Sequence, residues 1–170
     1  MRIISLNCNG LRSAARKGFY DWLPRSGADI VCLQETRVQR EQIERDPVYF
    51  PPDWHMRLCE AERKGYSGVG FYSRRQPDEV LTGLGSEEFD PEGRYIEARF
   101  GKLSVVSVYL PSGSSSEDRQ SAKYRFLDHF LPLLEEWRHN GRDYVLCGDW
   151  NIAHRNIDLK NWRSNLKNSG

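Results

Sequence analysis

The sequence predicts an α/β protein in which sheets are flanked by helices, and three observations carry that expectation. Two short apolar runs, residues 29–35 and 144–147, are nearly continuous and suit strands covered on both faces. Between residues 54 and 110 short apolar runs alternate with Gly, Pro and Asp turns, which is a β texture. In two other stretches the apolar residues recur at helical spacing: Phe19, Trp22 and Leu23, then Leu127, Phe130, Leu131, Leu134 and Trp137.

The chain opens with a strand over residues 2–7 that ends in the turn-prone Asn7-Cys-Asn-Gly10. Phe19, Trp22 and Leu23 fall at i, i+3 and i+4 and predict an amphipathic helix from Ala14, ended by Pro24 and Gly27. The buried strand 29–35 follows. The charged stretch 38–46 reads as a short helix, stopped by Pro47. Strands are expected at 55–59, 68–73, 79–84, 94–100 and 103–110. Pro111 and the serine-rich stretch 112–116 break the sheet and offer N-caps to a long helix. Pro132 is expected to kink that helix, and Asn140-Gly141 to stop it. The strand 144–147 comes next, Gly148-Asp-Trp-Asn151 turns off its end, and a polar tail follows. No internal repeat or low-complexity linker divides the chain, so one domain over residues 1–170 is expected.

Bulk composition excludes more than it selects. With 38% apolar and 29% charged residues the chain has an ordinary globular balance, and a formal charge of +1 carries no overall basic excess. The charges are unevenly spread: Arg2, Arg12, Arg16 and Lys17 precede the first acid, Asp21. At the other end Arg155, Lys160, Arg163 and Lys167 stand against Asp158 alone. Such clusters are either solvated faces or phosphate-binding surfaces. The cysteines Cys8, Cys32, Cys59 and Cys147 form no CxxC pair, and a reduced cytoplasmic protein with buried thiols explains them better than zinc or disulfides. No apolar run reaches membrane-spanning length.

Asn7, Glu35 and Asp149 stand where strands end and the chain turns, the rim at which ligands gather in layered α/β proteins. The hard oxygens of Glu35, Asp149, Asn7 and Asn151 are the kind Mg²⁺ prefers. Asp and Asn are also common turn formers, so the pattern by itself leaves a metal site and ordinary turns both open. Tyr109 ends the strand before the serine-rich stretch, where packing and catalysis are both available to it. His154 has no metal-ligand spacing and reads as structural. Neither a Gly-x-Ser-x-Gly elbow nor a P-loop is present, which removes those two chemistries.

Together the segments resemble the exodeoxyribonuclease III family of abasic-site endonucleases. The resemblance rests on Ser5-Leu-Asn-Cys-Asn-Gly-Leu-Arg12, Leu33-Gln-Glu-Thr36, Gly65-Tyr-Ser-Gly-Val-Gly70, Gly93-Arg94, Tyr109-Leu-Pro and Gly148-Asp-Trp-Asn-Ile-Ala-His154. Gln-Glu-Thr and Gly-Asp-x-Asn alone would also fit inositol-phosphate and sphingomyelin phosphodiesterases. Glu88-Phe-Asp-Pro-Glu-Gly-Arg94 and Asn156-Ile-Asp-Leu-Lys-Asn161 narrow the resemblance to the DNA-repair branch.

The resemblance implies a four-layered α/β (α+β) sandwich of two packed mixed sheets flanked by helices. It implies a Mg²⁺-dependent DNA phosphodiesterase of base-excision repair (Mn²⁺ an alternative ion), incising 5′ to abasic sites, with 3′→5′ exonuclease and 3′-end trimming. Glu35 would bind the metal with Asn7, Asn9, Asp149 and Asn151 around it. Asp149 would orient or deprotonate the attacking water, while Asn151 and Tyr109 would stabilise the phosphoryl oxygens. Arg12, Lys17, Tyr66 and Arg94 match positions near DNA. The partner is then double-stranded DNA with abasic sites or 3′ ends, bound by a full-length monomer with no obligate protein partner and no membrane. Family members continue into a further Asp and a late Ser-Asp-His segment absent here. The expectation is therefore the amino-terminal part of the domain, with an incomplete sandwich. The alternative is a non-catalytic nucleic-acid-binding or regulatory relative, or an inactive fragment.

Overall fold

The computed structural model describes residues 1–113 and 117–166, so Lys167 and the serines at 114–116 lie outside the described residues. Two four-stranded sheets form the centre. The first has the order β1 (Ile3–Asn7), β2 (Ile30–Gln34), β4 (Val69–Ser73), β3 (His55–Cys59). The second runs β5 (Glu79–Thr82), β6 (Tyr95–Phe100), β7 (Leu103–Tyr109), β8 (Asp143–Asp149). β1 pairs parallel with β2, and β7 with β8; the other pairings are antiparallel. Parallel neighbours cannot be joined by a hairpin, so each pair needs a crossover. The first crossover carries α1 (Leu11–Arg16) and α2 (Phe19–Trp22), and the second carries α3 (Glu117–Trp137).

Strand alternation sorts the apolar side chains into three cores. Between the sheets, Ile30, Cys32, Val69 and Phe71 meet Ile96, Ala98, Phe100, Val105 and Cys147. On the outer face of the first sheet Val31, Leu33 and Tyr72 pack against Leu11, Phe19 and Leu23. On the outer face of the second, Val106, Val108 and Leu110 receive Phe126 and Phe130 of α3. The layers are therefore helices, sheet, sheet, helix. Amid the central core one polar link joins the sheets: Gln34 Nε2 donates to Ser107 Oγ at 3.0 Å, and Ser107 Oγ donates to Leu33 O at 2.9 Å. All four cysteines are free thiols. Among the described residues no helix is long and apolar enough to cross a membrane.

Several elements depart from what periodicity predicts. The first helix starts at Leu11 rather than Ala14 and breaks at Gly18, whose φ of 87° is left-handed. The stretch 38–46 contains only a 3₁₀ turn, Arg40–Gln42, because Ile43 (1% exposed) anchors it to the core and leaves no second apolar turn to bury. In α3 the buried residues are Lys123, Phe126 and Phe130, whereas Leu131 is 53% exposed. The helix runs through Pro132, which lies on its exposed side. β8 continues through Gly148 and Asp149, since parallel pairing with Val108 and Tyr109 holds them in the ladder.

Glu97, 2% exposed, shows how the second sheet tolerates a buried charge. It accepts hydrogen bonds from Tyr95 Oη (2.8 Å), Arg99 Nε (2.7 Å) and Ser104 Oγ (2.7 Å). Burial alone would raise its pKa, but Arg99 and the two hydroxyls outweigh burial and hold the carboxyl below its ordinary range. A carboxyl depressed in the folded state contributes stability above its unfolded pKa of about 4.3 and loses it as pH falls. Glu97→Gln is expected to lower unfolding free energy by about 1–3 kcal/mol at pH 7. The deficit should shrink below pH ~4 as the parent's own carboxyl protonates, and denaturant titrations at the two pH values measure both effects.

Candidate active site

Parallel pairing aligns strand ends, and here it aligns two pairs of them. β1 and β2 end at Asn7 and Gln34, with Glu35 next in the chain; β7 and β8 end at Tyr109 and Asp149. The sandwich brings both ends to one rim. Asn7 Nδ2 donates to Glu35 Oε1 at 2.8 Å and to Asp149 Oδ2 at 2.6 Å, so one amide spans the two sheets. The Asn7 amide oxygen accepts the Asn9 backbone N–H at 3.0 Å, and Asn9 itself is exposed beside the acids. Asp149 Oδ1 accepts the Asn151 N–H at 3.1 Å, while Asn151 Nδ2 donates to Leu110 O at 2.8 Å.

Electrostatics at the rim favour an ionised acid. Burial pushes the Glu35 carboxyl up, but the Asn7 amide, the Arg37 guanidinium and the Tyr109 hydroxyl together hold it below the usual carboxylate range. Arg37 pairs directly with Glu35 Oε2. Tyr109 is pushed up to about 12, by burial first and then by the charge of Glu35, so at neutral pH it keeps its proton. The backbone is unusual in the same place. Non-glycine residues with positive φ in the described chain are Asn9 (45°), Glu35 (53°), Arg37 (48°), Ser67 (45°) and Asn151 (49°). A left-handed conformation costs an L-residue roughly 1–2 kcal/mol, and such strain gathers at functional sites. Three of these residues, Asn9, Glu35 and Asn151, are candidates from the sequence.

The predicted DNA-facing residues divide. Arg12, in α1, and Lys17, just after it, are exposed and lie outside the hydrogen-bonded cluster. Arg94 is 3% exposed, and its donors are committed to Glu92 Oε2 (2.5 Å), Tyr109 O (3.0 Å) and Tyr66 Oη (2.9 Å). It therefore backs Tyr66 and Tyr109 from behind. A cleft of about 380 Å³ opens beside the rim, lined among others by Tyr66, Phe89, Arg94, Pro111 and Ser112. His154 is exposed.

Two residues at the rim escaped sequence reasoning. Arg37 carries only the weak signal of standing two positions after Glu35. Lys123 of α3 is 3% exposed and donates from Nζ to Asn151 O at 2.5 Å. It precedes Phe126 and Phe130 by three and seven residues, so a lysine on the buried stripe was the available clue. Burial pulls its pKa down, and the charge of Asp149 opposes that.

The donor set fits a hard divalent cation. Glu35 and Asp149 present carboxylate oxygens to one small region, and among the described residues no group of three His, Cys, Asp or Glu gathers to hold an ion. Two carboxylates with neutral oxygens nearby suit Mg²⁺, which keeps most of its waters; Zn²⁺ would call for nitrogen or sulfur ligands.

Known proteins resemble this chain in sequence and in fold. Residues 4–169 match the Endonuclease/Exonuclease/phosphatase family. An exodeoxyribonuclease of Bacillus subtilis (strain 168) is 39% identical over 171 residues, spanning 100% of this chain and 66% of that protein. The DNA repair nuclease APEX1 of Danio rerio is 36% identical over 181 residues, spanning 100% and 55%. The structure of an AP endonuclease from Archaeoglobus fulgidus superposes with a TM-score of 0.84 at 29% identity, covering 99% of this chain and 64% of that one. The chain thus spans about half to two thirds of the length of these two curated relatives.

The Asn7 bridge can be tested without substrate or metal. Asn7 is exposed, so solvent competes for its bonds, and Asn7→Ala is expected to cost about 0.5–1.5 kcal/mol at pH 7. Asn7→Ala combined with Asp149→Ala should cost less than the sum of the single changes. Strict additivity in denaturant unfolding would mean that the two side chains do not interact.

Proposed function

The chain belongs to the endonuclease/exonuclease/phosphatase family, on its exodeoxyribonuclease and abasic-site endonuclease branch, and from that premise we propose that it carries the phosphodiesterase centre of a Mg²⁺-dependent DNA-repair nuclease. Its substrate on this reading is double-stranded DNA, cut 5′ to abasic sites and trimmed at 3′ ends. The observation that supports it most is the Asn7 amide holding Glu35 and Asp149 together across the two sheets.

Phosphoryl transfer asks a protein mainly for positioning and charge neutralisation. Glu35 would hold the ion, with Asp149, Asn151, Asn7 and Asn9 beside it; bound there, Mg²⁺ supplies polarisation of the phosphate and eases departure of the 3′-oxygen. Asp149, oriented by the Asn7 amide and the Asn151 N–H, takes the proton of the attacking water. The Tyr109 hydroxyl, still protonated at neutral pH, donates towards the charged phosphoryl oxygens together with the Asn151 side chain. Arg12 and Lys17 contact phosphates without sequence preference. Tyr66, braced by Arg94, meets the duplex beside the cleft. An abasic nucleotide suits extrusion into such a site because unstacking costs least where the base is already missing.

The test is incision of an abasic-site duplex by the chain with Mg²⁺ and with EDTA, beside Asp149→Ala and Glu35→Ala. In a chain that carries the family's later segments, metal-dependent cutting is expected, lowered about 10²–10⁴-fold in Asp149→Ala while duplex binding persists. Glu35→Ala should need more Mg²⁺ for the same rate. A folded chain that hydrolyses a soluble inositol phosphate and ignores abasic DNA would sink the assignment. Equal loss of binding and cutting in Asp149→Ala would assign that residue a structural role.

A further inference from the structure

Immediately beneath the rim, the buried polar link between the sheets lies in register with the acids it underlies. Gln34 is 1% exposed, pairs with Asn7 across β1 and β2, and directly precedes Glu35. Ser107, also 1% exposed, stands two residues before Tyr109 on the same face of β7 and pairs with Cys147, two before Asp149. The link runs both ways: Gln34 Nε2 donates to Ser107 Oγ (3.0 Å), and Ser107 Oγ donates back to Leu33 O (2.9 Å). Ser5 Oγ of β1 closes it by donating to Gln34 Oε1 at 3.3 Å.

Two sheets that meet only through apolar side chains have no preferred offset beyond shape, because hydrophobic contact is non-directional. Hydrogen bonds are directional, and in a dry core a broken one is costly. The rim needs a fixed offset, since one Asn7 amide must reach a carboxylate on each sheet at 2.8 and 2.6 Å. The link lies one residue from Glu35 on β2 and two residues, about 7 Å of strand, from Tyr109 on β7. We infer that Gln34 and Ser107 are positioning residues: their hydrogen bond sets the offset of the two sheets and so holds Glu35 and Asp149 at the separation the Asn7 bridge requires. Its meaning for catalysis rests on the function proposed above, while the geometric statement does not.

The experiment reads the Asn7 side-chain amide by ¹⁵N–¹H NMR in the metal-free chain, where its contact with two carboxylates should displace its resonances from those of solvated asparagines. Gln34→Met keeps the volume and removes the link, and Ser107 retains Leu33 O as a partner. The variant should melt within about 5 °C of the parent yet lose the displaced amide signal. Its Mn²⁺ affinity should fall about tenfold, as when the partners behind metal ligands are changed. Ser107→Ala, the milder change, should lose the signal too and decides the matter if Gln34→Met does not fold. Val105→Ala, a cavity in the same core with no polar change, should lower the melting temperature and leave the amide signal in place. An unmoved signal in Ser107→Ala, or an equal displacement in Val105→Ala, overturns the inference. Failure of the parent chain to bind Mn²⁺ would count against the proposed metal chemistry alone, because the amide signal is read without metal.

Discussion

Everything at the rim depends on two parallel pairings, β1 with β2 and β7 with β8, being stacked so that their carboxyl-terminal ends fall on the same side. Each pairing is forced to use a helical crossover, and each crossover covers the outer face of its own sheet. The fold thereby solves burial and site assembly with the same connections. Had β8 run antiparallel to β7, Asp149 would lie at the opposite end of the strand from Tyr109, and no single amide could touch Glu35 and Asp149 together.

Bringing two acids within reach of one amide opposes stability, because like charges repel in a partly desolvated setting. The rim answers with cations and donors. Arg37 pairs with Glu35, Lys123 lies near Asp149 through the Asn151 carbonyl, and Tyr109 offers a hydroxyl held by its raised pKa. The positive φ values of Glu35, Arg37 and Asn151 belong to the same compromise. A relaxed backbone would turn these side chains away from the rim, so packing elsewhere must hold them there. The three apolar cores supply that restraint, and Thr36 shows how closely the loop is held, with 0% exposure between Glu35 and Arg37.

Much of this was legible in the sequence. The buried strand around Val31 could be read because a continuous apolar run has few other uses. The equally apolar run at 144–147 misled: β8 is an edge strand with Val145 37% exposed and only Cys147 buried. The strand-end positions of Asn7, Glu35, Tyr109 and Asp149 followed from the two runs all the same. What stayed hidden depends on three-dimensional context. The break after Arg16 turns on one left-handed glycine, invisible to a periodicity that continues through Phe19. The exposure of Leu131 follows from α3 presenting Phe126 and Phe130 to the sheet, a small rotation that a stripe of five apolar residues does not resolve. Most of all, the sequence could nominate Asn7 by its oxygen, whereas the structure turns its nitrogen to the acids and its oxygen to the Asn9 N–H. A side-chain amide carries donor and acceptor at equal reach, and only its neighbours decide which face does which work.

The division among the DNA-facing candidates has a physical consequence for the proposed reading. A chain of formal charge +1 draws no general attraction for a polyanion, so affinity must come from local cations, and those at the rim are already engaged. Arg37 is paired with Glu35 and Arg94 is enclosed by Glu92, Tyr66 and Tyr109. A phosphate arriving at Glu35 and Asp149 with no further positive charge would meet a repulsive field. On the proposed reading a divalent cation held by Glu35 would reverse that sign and would leave Arg37 available to a phosphate oxygen. On this reading metal and DNA favour one another's arrival, a coupling that arises because the same carboxylate is the partner of both the ion and the arginine.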